Sequence, residues 1–466
     1  MLLDRYEPDP KFWAIIKLLA IQMEPELGQI DKILDDDELF QLIKGDLAQR
    51  HTHTLETGRN STPVEAGLRM LAVKRLYQFT YRETEWHVGD SLVLRWFCRL
   101  YFNAAPDHTT LNRLALDIRP ETLRAFNERV TAIATELKVT RGRKLRTDGT
   151  VVETNIAYPR DSKLMADGVR VLSRTLKQAQ VVVQETTRLA AQTFRDRTRS
   201  ARNQARQIAN YARRRSKIAK AGMKKAYRRL VKVAQASVQQ AQTVLEALQT
   251  QSTQAATRII GVLETFIPRV EQAVNQTVRR VFQEESVPAQ EKIVSLFEPH
   301  TAVIRRGKAG KETEFGRKIW LDEVDGGIVT RWQLLEGNPS DTEQWKPAID
   351  HHIERFGKPP NLASGDRGVY SPGNETHARK KGVKQVVLPK PGYKSEARRK
   401  HEAQAWFKRG RRFQSGVEGR ISVCKRKHGL ARCLDHGEDG LDKWVGWGFI
   451  ANNLTVLGRT LVAKVS

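Results

Sequence analysis

The sequence predicts an α/β protein: a mixed-sheet domain, preceded by an all-α region and interrupted after its first strand by a long helical insertion. Three observations predict it. "RKIWLDEVDGGIVTRWQLLEG" is two alternating runs around Asp325-Gly326-Gly327, the pattern of a β-hairpin. "LRTDGTVVETNI", from Leu145, reads as a buried strand that carries one carboxylate, Asp148. Between the two, residues 163–297 become poor in Gly and Pro and rich in Ala, Gln, Arg and Val, as long helices are.

Taken in order, residues 1–61 are mixed and weakly helical. "STPVEAGLRMLAVKRLYQF" sets Val64, Leu68, Leu71, Leu76 and Phe79 at near-helical spacing, with Pro63 at the first helical position. Thr80 and Glu83 stand at capping-box spacing. "PDHTTLNRL" opens another helix, capped by Asp107 or Thr109. Three or four short helices over 62–135 read as a helix-turn-helix DNA-binding cluster or as an ordinary helical domain. In the insertion, Val262, Phe266, Ile267, Val270, Val274, Val278 and Val281 form a seam at three/four spacing. That seam predicts two or three long helices in an antiparallel coiled-coil arm, the last kinked at Pro268. It could close on itself or pair with the arm of a second subunit.

From Pro299 the α/β pattern resumes. After the hairpin come a helix from Asp341 to Gly357, a short buried strand ending near Asp366, and a strand in "VKQVVLPK". A helix ended by Gly429 and a final apolar helix from Trp444 to Leu457 complete the chain. The expected division is 1–61, a mixed or helical region; 62–135, DNA-binding; 136–162 with 298–440, catalytic; 163–297, the arm; and 441–466, a C-terminal helix.

Charge narrows the function. Lys and Arg number 80 against 53 Asp and Glu, a net +27 spread along the chain, which points to a polyanion. Cys98, Cys424 and Cys433 make no disulfide framework and suit a reducing compartment. No apolar run approaches the ~20 residues that span a bilayer, and the N-terminus does not read as a signal peptide. The expectation is a soluble intracellular protein that handles nucleic acid, with no membrane partner. From Arg195 to Arg229 the basic run, with Arg213, Arg214, Arg215 and Lys217 at its centre, meets Asp196 as its one acid. A run so one-sided repels itself without a counter-charge, which favours phosphate contact over a solvated face.

With the insertion removed, the order is strand with Asp148, hairpin, helix, strand ending at Asp366, strand, and helix with Glu418. That is the connectivity of the ribonuclease-H-like fold, whose first and fourth strands lie side by side at the sheet centre. Phosphodiester transfer stabilises charge on attacking and leaving oxygens, a task for two hard cations about 4 Å apart held by carboxylates. Asp148, Asp366 and Glu418 are therefore the candidate catalytic and metal-ligating residues, for two Mg²⁺ ions with Mn²⁺ as a substitute. On the Glu418 helix, Phe413, Val417, Ile421 and Cys424 fall on one face, and Arg411, Ser415, Glu418, Ser422 and Lys425 on another. Lys425, Arg426, Lys427, His428 and Arg420, with Arg367 beside Asp366, make a basic surface for DNA phosphate.

The segments "TPVEAGLRMLAVKRLYQFTYRETE", "DSLVLRWF", "PDHTTLNRL", "TDGTVVETNIAYPRDSKLMADGVRVL", "GRKIWLDEVDGG", "GDRGVYS", "GVEGRISVCKRKHGL" and "GWGFIANNL" resemble DDE transposases of bacterial insertion sequences, particularly the ISNCY group. The resemblance implies Asp148, Asp366 and Glu418 as the triad, Mg²⁺, binding of terminal inverted repeats, and cleavage followed by joining of 3′-OH ends to target DNA. It implies a bacterial, cytoplasmic, nucleoid-associated protein, and joining two ends makes a homodimer the simplest assembly. Related transposases carry a Tyr and an Arg before the Glu; here Arg411 and Gln414 hold those positions.

Alternatives remain open at this point. Asp322, Glu323 and Asp325 form a rival acidic cluster, explained otherwise by the turn and a solvent-facing strand end. Glu153 could support Asp148 from nearby. Cys424, His428, Cys433 and His436 could hold zinc, although structural zinc sites show tighter paired spacing. A hydrolysis-only nuclease of the same fold, or a non-catalytic domesticated DNA-organising protein, would share much of this pattern.

Overall fold

The computed structural model describes residues 1–58, 60–184, 194–249, 253–308 and 311–465. The strands are Lys144–Glu153 (β1), Ala302–Lys308 (β2), Lys311–Val324 (β3), Ile328–Leu335 (β4), Leu362–Ser364 (β5) and Gln385–Val387 (β6). The chain divides into two compact units, residues 1–155 with 317–466, and residues 156–316.

In the first unit the strand order is β4-β3-β1-β5-β6. β3 and β4 are antiparallel, joined by the expected turn, where Gly326 and Gly327 take φ of 85° and 81°. Only glycine adopts that conformation without a Cβ penalty. β3 runs against β1: the Asp325 N–H donates to the Lys144 carbonyl, Arg146 meets Glu323, and Gly149 faces Trp320. β5 is parallel to both β1 and β6, so the sheet is mixed. Leu145, Val151, Val152, Ile319, Trp320 and Leu321 are buried in it, as a sheet covered on both faces requires.

The helix Asp341–Phe356 starts one residue later than its cap. Ser340, not Asp341, accepts the N-terminal hydrogen bond, and Gly357 closes the helix at φ 66°. That helix packs on β1, and the helix Ala405–Lys427 packs across β1, β5 and β6. The last helix, Gly437–Val465, is longer than the expected apolar stretch and packs on β4 and on the helices Pro25–Ile33, Val64–Leu76 and Pro120–Glu136. The N-terminal helices therefore share one hydrophobic core with the sheet.

Three helices lie where the sequence reads as mixed: Pro10–Leu18, Pro25–Ile33 and Asp37–Ala48. Their apolar residues do recur at helical spacing, Phe12 with Ile16, Leu27 with Ile30 and Ile33, and Leu39 with Ile43 and Leu47; the first two begin with Pro, and Asp9 and Asp36 cap the first and third. Val64–Leu76 is buried on nearly all sides, with Pro63 as its cap rather than its first residue. Its Arg69 is fully buried and bonds Asp31, Asp35 and Glu65. The Thr80–Glu83 capping box forms, and Asp107 caps the helix His108–Asp117.

Among the described residues the second unit holds four α-helices where two or three are expected: Asp161–Gln184, Thr198–Ala212, Lys217–Leu248 and Gln254–Val281. The extra break falls at the exposed stretch Arg213–Ser216. The four share a core that includes Leu172, Ile208, Leu230, Leu263, Ile267 and Val270. Ile267, Val270 and Val274 of the seam are thus buried within this unit while Val262 stays exposed, and Pro268 sits inside an uninterrupted helix. β2 and the first part of β3 pair antiparallel in this unit, Ala302 with Gly316 and Ile304 with Glu314. Among the described residues, no helix is long and apolar enough to cross a membrane.

Candidate active site

β1 and β5 align Lys144 with Leu362, Leu145 with Ala363 and Arg146 with Ser364. Two residues beyond the last of these pairs stand Asp148, still in β1, and Asp366, past the end of β5; paired strands are spaced about 4.8 Å apart. Asp148 is half-buried, and its Oδ1 accepts from the Gly149 N–H at 2.7 Å. Asp366 lies just past β5, exposed, and begins the single 3₁₀ turn Arg367–Val369, where it accepts from the Val369 N–H at 3.2 Å.

The helix Ala405–Lys427 is pinned over this junction by Gln414. Its Nε2 donates to the Thr147 carbonyl at 2.8 Å, and its Oε1 accepts from Ser364 Oγ at 2.8 Å, so one side chain ties β1 to β5. Arg146 Nη1 donates to the Phe413 carbonyl at 2.6 Å. Strand alternation puts Asp148 on the same face as Arg146, the face this helix covers. Glu418 follows Gln414 by one turn and is exposed. The structure brings Asp148 and Asp366 to neighbouring positions and leaves Glu418 on the adjoining helix. Among the described residues, no group of three or more His, Cys, Asp or Glu is close enough to hold a metal ion.

A residue missed from the sequence, Asp341, belongs to this neighbourhood. A methyl group on Gly368 would stand 3.2 Å from Asp341 Oδ2 and 3.3 Å from Asp366 Oδ1, so both carboxylates border one glycine. Lys318 Nζ lies 2.7 Å from Asp341 Oδ1 and donates to the Pro339 carbonyl at 2.8 Å. The Asp366 carboxyl is pushed up from the usual range, first by partial enclosure and then by the Asp341 charge. The Val369 and Gly368 N–H groups and Lys318 oppose that shift. The sequence held one signal, an acid at a helix start, and helix capping alone explains such an acid.

The acids of the rival cluster are each paired within the protein. Glu323 is fully buried, 2.6 Å from Arg146 Nη2 and 3.2 Å from Arg420 Nε. Asp322 is buried too, accepting from Trp320 Nε1 at 3.0 Å beside Arg331, and burial pushes its carboxyl up to about 6. The expectation of a solvent-facing strand end is thus corrected: both acids point into packed protein and are matched by arginines or an indole. Asp325 accepts from the N–H groups of Arg141 and Lys144, as a turn residue does. Glu153 pairs with Arg432 at 3.1 Å. Cys424, Cys433 and His428 are buried, and Cys433 donates to the Asp435 carbonyl.

The expected phosphate-binding residues divide by burial. Arg426, Lys427 and Arg367 are exposed, and Lys425 is half-buried. His428 is buried at the helix end, and burial with the nearby Arg75 and Arg420 holds its imidazole down at about 4. Arg420 is turned inward, bonded to Glu323 and Asn452. These two are corrected from a DNA-facing to an inward position, because the helix turns that part of its surface onto β3 and the C-terminal helix. Arg213, Arg214, Arg215 and Lys217 are exposed in the second unit.

Residues 19–115 match the family model of a transposase domain, DUF772. The match supports a transposase family. It runs from before the helix Pro25–Ile33 into the helix His108–Asp117 and ends before β1, so it does not reach Asp148, Asp366 or Glu418. Neither the curated proteins nor the solved structures contain a match to the chain.

Proposed function

We propose that the protein is a DNA transposase of the DDE type, similar to the ISNCY-like group, with Asp148, Asp366 and Glu418 as its catalytic residues. The observation that carries this reading is the placement of Asp148 on β1 and of Asp366 just past the end of the adjacent parallel strand β5, next to the helix that carries Glu418. The strand order β4-β3-β1-β5-β6, with that helix across it, supports a ribonuclease-H-like catalytic domain. The transposase-domain match supports the DNA chemistry.

The donor set suits Mg²⁺ or Mn²⁺, because carboxylate oxygens are the ligands hard cations prefer. Asp148 and Asp366 would hold the metal between them, and Glu418 would close the set from the helix. When bound, two such ions stabilise charge on the attacking and leaving oxygens of the phosphodiester. The chain's own groups do the rest. Gln414 keeps β1 and β5 in register, so the two aspartates cannot slide apart. Lys318 holds Asp341 beside Asp366 and offsets part of their repulsion. Arg367, Arg426 and Lys427 supply charge for DNA phosphates. The exposed Arg82, Trp86, Asn112 and Arg113 on two packed N-terminal helices supply the surface that reads the element ends. Cleavage leaves 3′-OH ends, which are joined to target DNA by transesterification, and pairing two ends makes a homodimer the working assembly. A cytoplasmic, nucleoid-associated protein fits this role.

The test uses a supercoiled plasmid that carries the DNA flanking the coding region. With Mg²⁺ the full chain should cut at the flanks and produce joined products. Asp148→Asn, Asp366→Asn and Glu418→Gln should each abolish cutting while retaining binding to the flanking DNA. Substantial cutting by any one variant removes that residue from the catalytic set.

A further inference from the structure

The second unit contains a groove that the proposed chemistry does not use. Two cavities, of ≈ 470 Å³ and ≈ 760 Å³, share Tyr158, Arg160, Ser162 and Ala209 and so lie side by side along one groove. Their walls come from the N-terminal parts of the helices Asp161–Gln184 and Lys217–Leu248, from Thr198–Ala212, and from the end of Gln254–Val281. Three carboxylates line them, and each is matched: Asp167 by Arg170 at 3.2 Å, Asp161 by Arg280 at 2.7 Å, and Glu284 by Lys224 at 2.7 Å. Arg160, Lys163, Arg202, Arg206, Arg213 and Lys220 also line the groove, and among the described residues none of them has a carboxylate partner. A concave wall with so much unmatched positive charge concentrates anions.

One aromatic ring stands in this field. Tyr158 lines both cavities and is 72% exposed. Its ring is held edge-on by Phe315, with centroids 5.6 Å apart and planes at 86°. An edge contact fixes the ring and leaves a face open. A large exposed ring loses hydrophobic burial for no gain in folding, so its placement among cations points to a planar, negatively charged ligand.

We propose that this groove binds an unpaired nucleotide strand, with phosphates along Arg202, Arg206 and Lys163 and a base stacked on Tyr158. Cavities of about 300–1,000 Å³ enclose ligands of drug size, the size class of one or two nucleotides. A duplex, whose major groove alone is about 12 Å wide, lies along a surface instead. A charged channel with a stacking ring is the general means of holding single strands. A staggered cut leaves such strands at DNA ends, so the inference deepens the proposed function and rests on it for its biological role, but binding itself does not need the carboxylates.

The experiment measures fluorescence anisotropy of a labelled mixed-sequence 12-nucleotide strand and of the matching blunt duplex, with full-length protein in EDTA across a salt series. Tyr158→Ala should weaken single-strand binding by roughly 5- to 150-fold, the range measured for losing one stacked base. Tyr158→Phe should bind as the unaltered protein does, and duplex affinity should not change with either variant. Arg202→Gln with Arg206→Gln should make the single-strand log–log salt slope shallower by about 1.4. Unchanged single-strand affinity in Tyr158→Ala, an equal loss on duplex, or an unchanged slope would each overturn the assignment. Asp366→Asn separates the two readings. Normal single-strand binding by this cutting-defective variant supports the groove, and lost binding overturns its independence. If the unaltered chain fails to cut plasmid but binds the strand as described, the groove stands and the transposase reading falls.

Discussion

Replacing Glu323 with Gln tests whether the acidic pair on β3 is structural or catalytic. Glu323 is 0% exposed, and it faces two guanidinium groups whose side chains are only 12% and 20% exposed, those of Arg146 and Arg420. Gln keeps the shape and one acceptor oxygen but removes the charge, leaving two cations enclosed without a counter-ion. Breaking a buried pair in this way costs about 3–5 kcal/mol, against a total stability of about 5–15 kcal/mol for a domain. With a urea m-value of about 3 kcal/mol/M, the midpoint should fall by roughly 1–2 M. Tryptophan fluorescence is the suitable probe. All nine tryptophans lie outside residues 156–316, so the signal reports the first unit alone. Adding Arg146→Met should recover about 1 kcal/mol or more, because the two changes share one network. A midpoint shift below about 0.3 M, or loss of plasmid cutting at an unchanged midpoint, would refute the structural assignment and return Glu323 to the catalytic candidates.

Further expectations follow from the same structure. Gln414→Ala removes two buried hydrogen bonds that join β1 to β5, and should cost about 2–4 kcal/mol and reduce cutting more than DNA binding; equal losses of both would contradict its positioning role. Neutralising Arg213, Arg214, Arg215 and Lys217 together should weaken cognate and random duplex alike and make the salt slope shallower by about 3–4; an unchanged slope would make the run a solvated face. Burial holds His352 at about 4 and His428 at about 4, below the 6.5 of an exposed imidazole, so both are neutral in the folded state. Their contribution is complete above pH 6.5 and is lost as pH falls from 6.5 towards 4, approaching about 3 kcal/mol each; urea midpoints at pH 7.5, 5.5 and 4.5 measure it, and His352→Gln should flatten the curve. Substituting Arg82, Trp86, Asn112 and Arg113 together should abolish the footprint on flanking DNA without changing the urea midpoint, whereas deleting 62–117 should unfold the first unit, since Leu68, Leu71, Leu111 and Leu114 belong to the common core.

The sequence by itself determined the local elements. The Asp325-Gly326-Gly327 hairpin, the Thr80–Glu83 capping box and the helix ends at Gly357 and Gly429 all depend on contacts within a few residues, and short-range chemistry specifies them. The short N-terminal helices were legible too, since Leu27, Ile30 and Ile33, and Leu39, Ile43 and Leu47, follow Pro and Asp start signals at helical spacing, but each period lasts only two or three turns. Tertiary structure decided whatever depends on which surfaces meet. It turned Arg420 onto Glu323 and buried His428, although both look like exposed basic residues in a Lys- and Arg-rich run. It folded the insertion's seam into a four-helix core, because the helices Asp161–Gln184 and Lys217–Leu248 both pack on the helix that carries it. It laid the strand that ends just before Asp366 beside the strand that carries Asp148, and brought Asp341 next to Asp366 from a helix start 25 residues earlier, a proximity that no local spacing encodes.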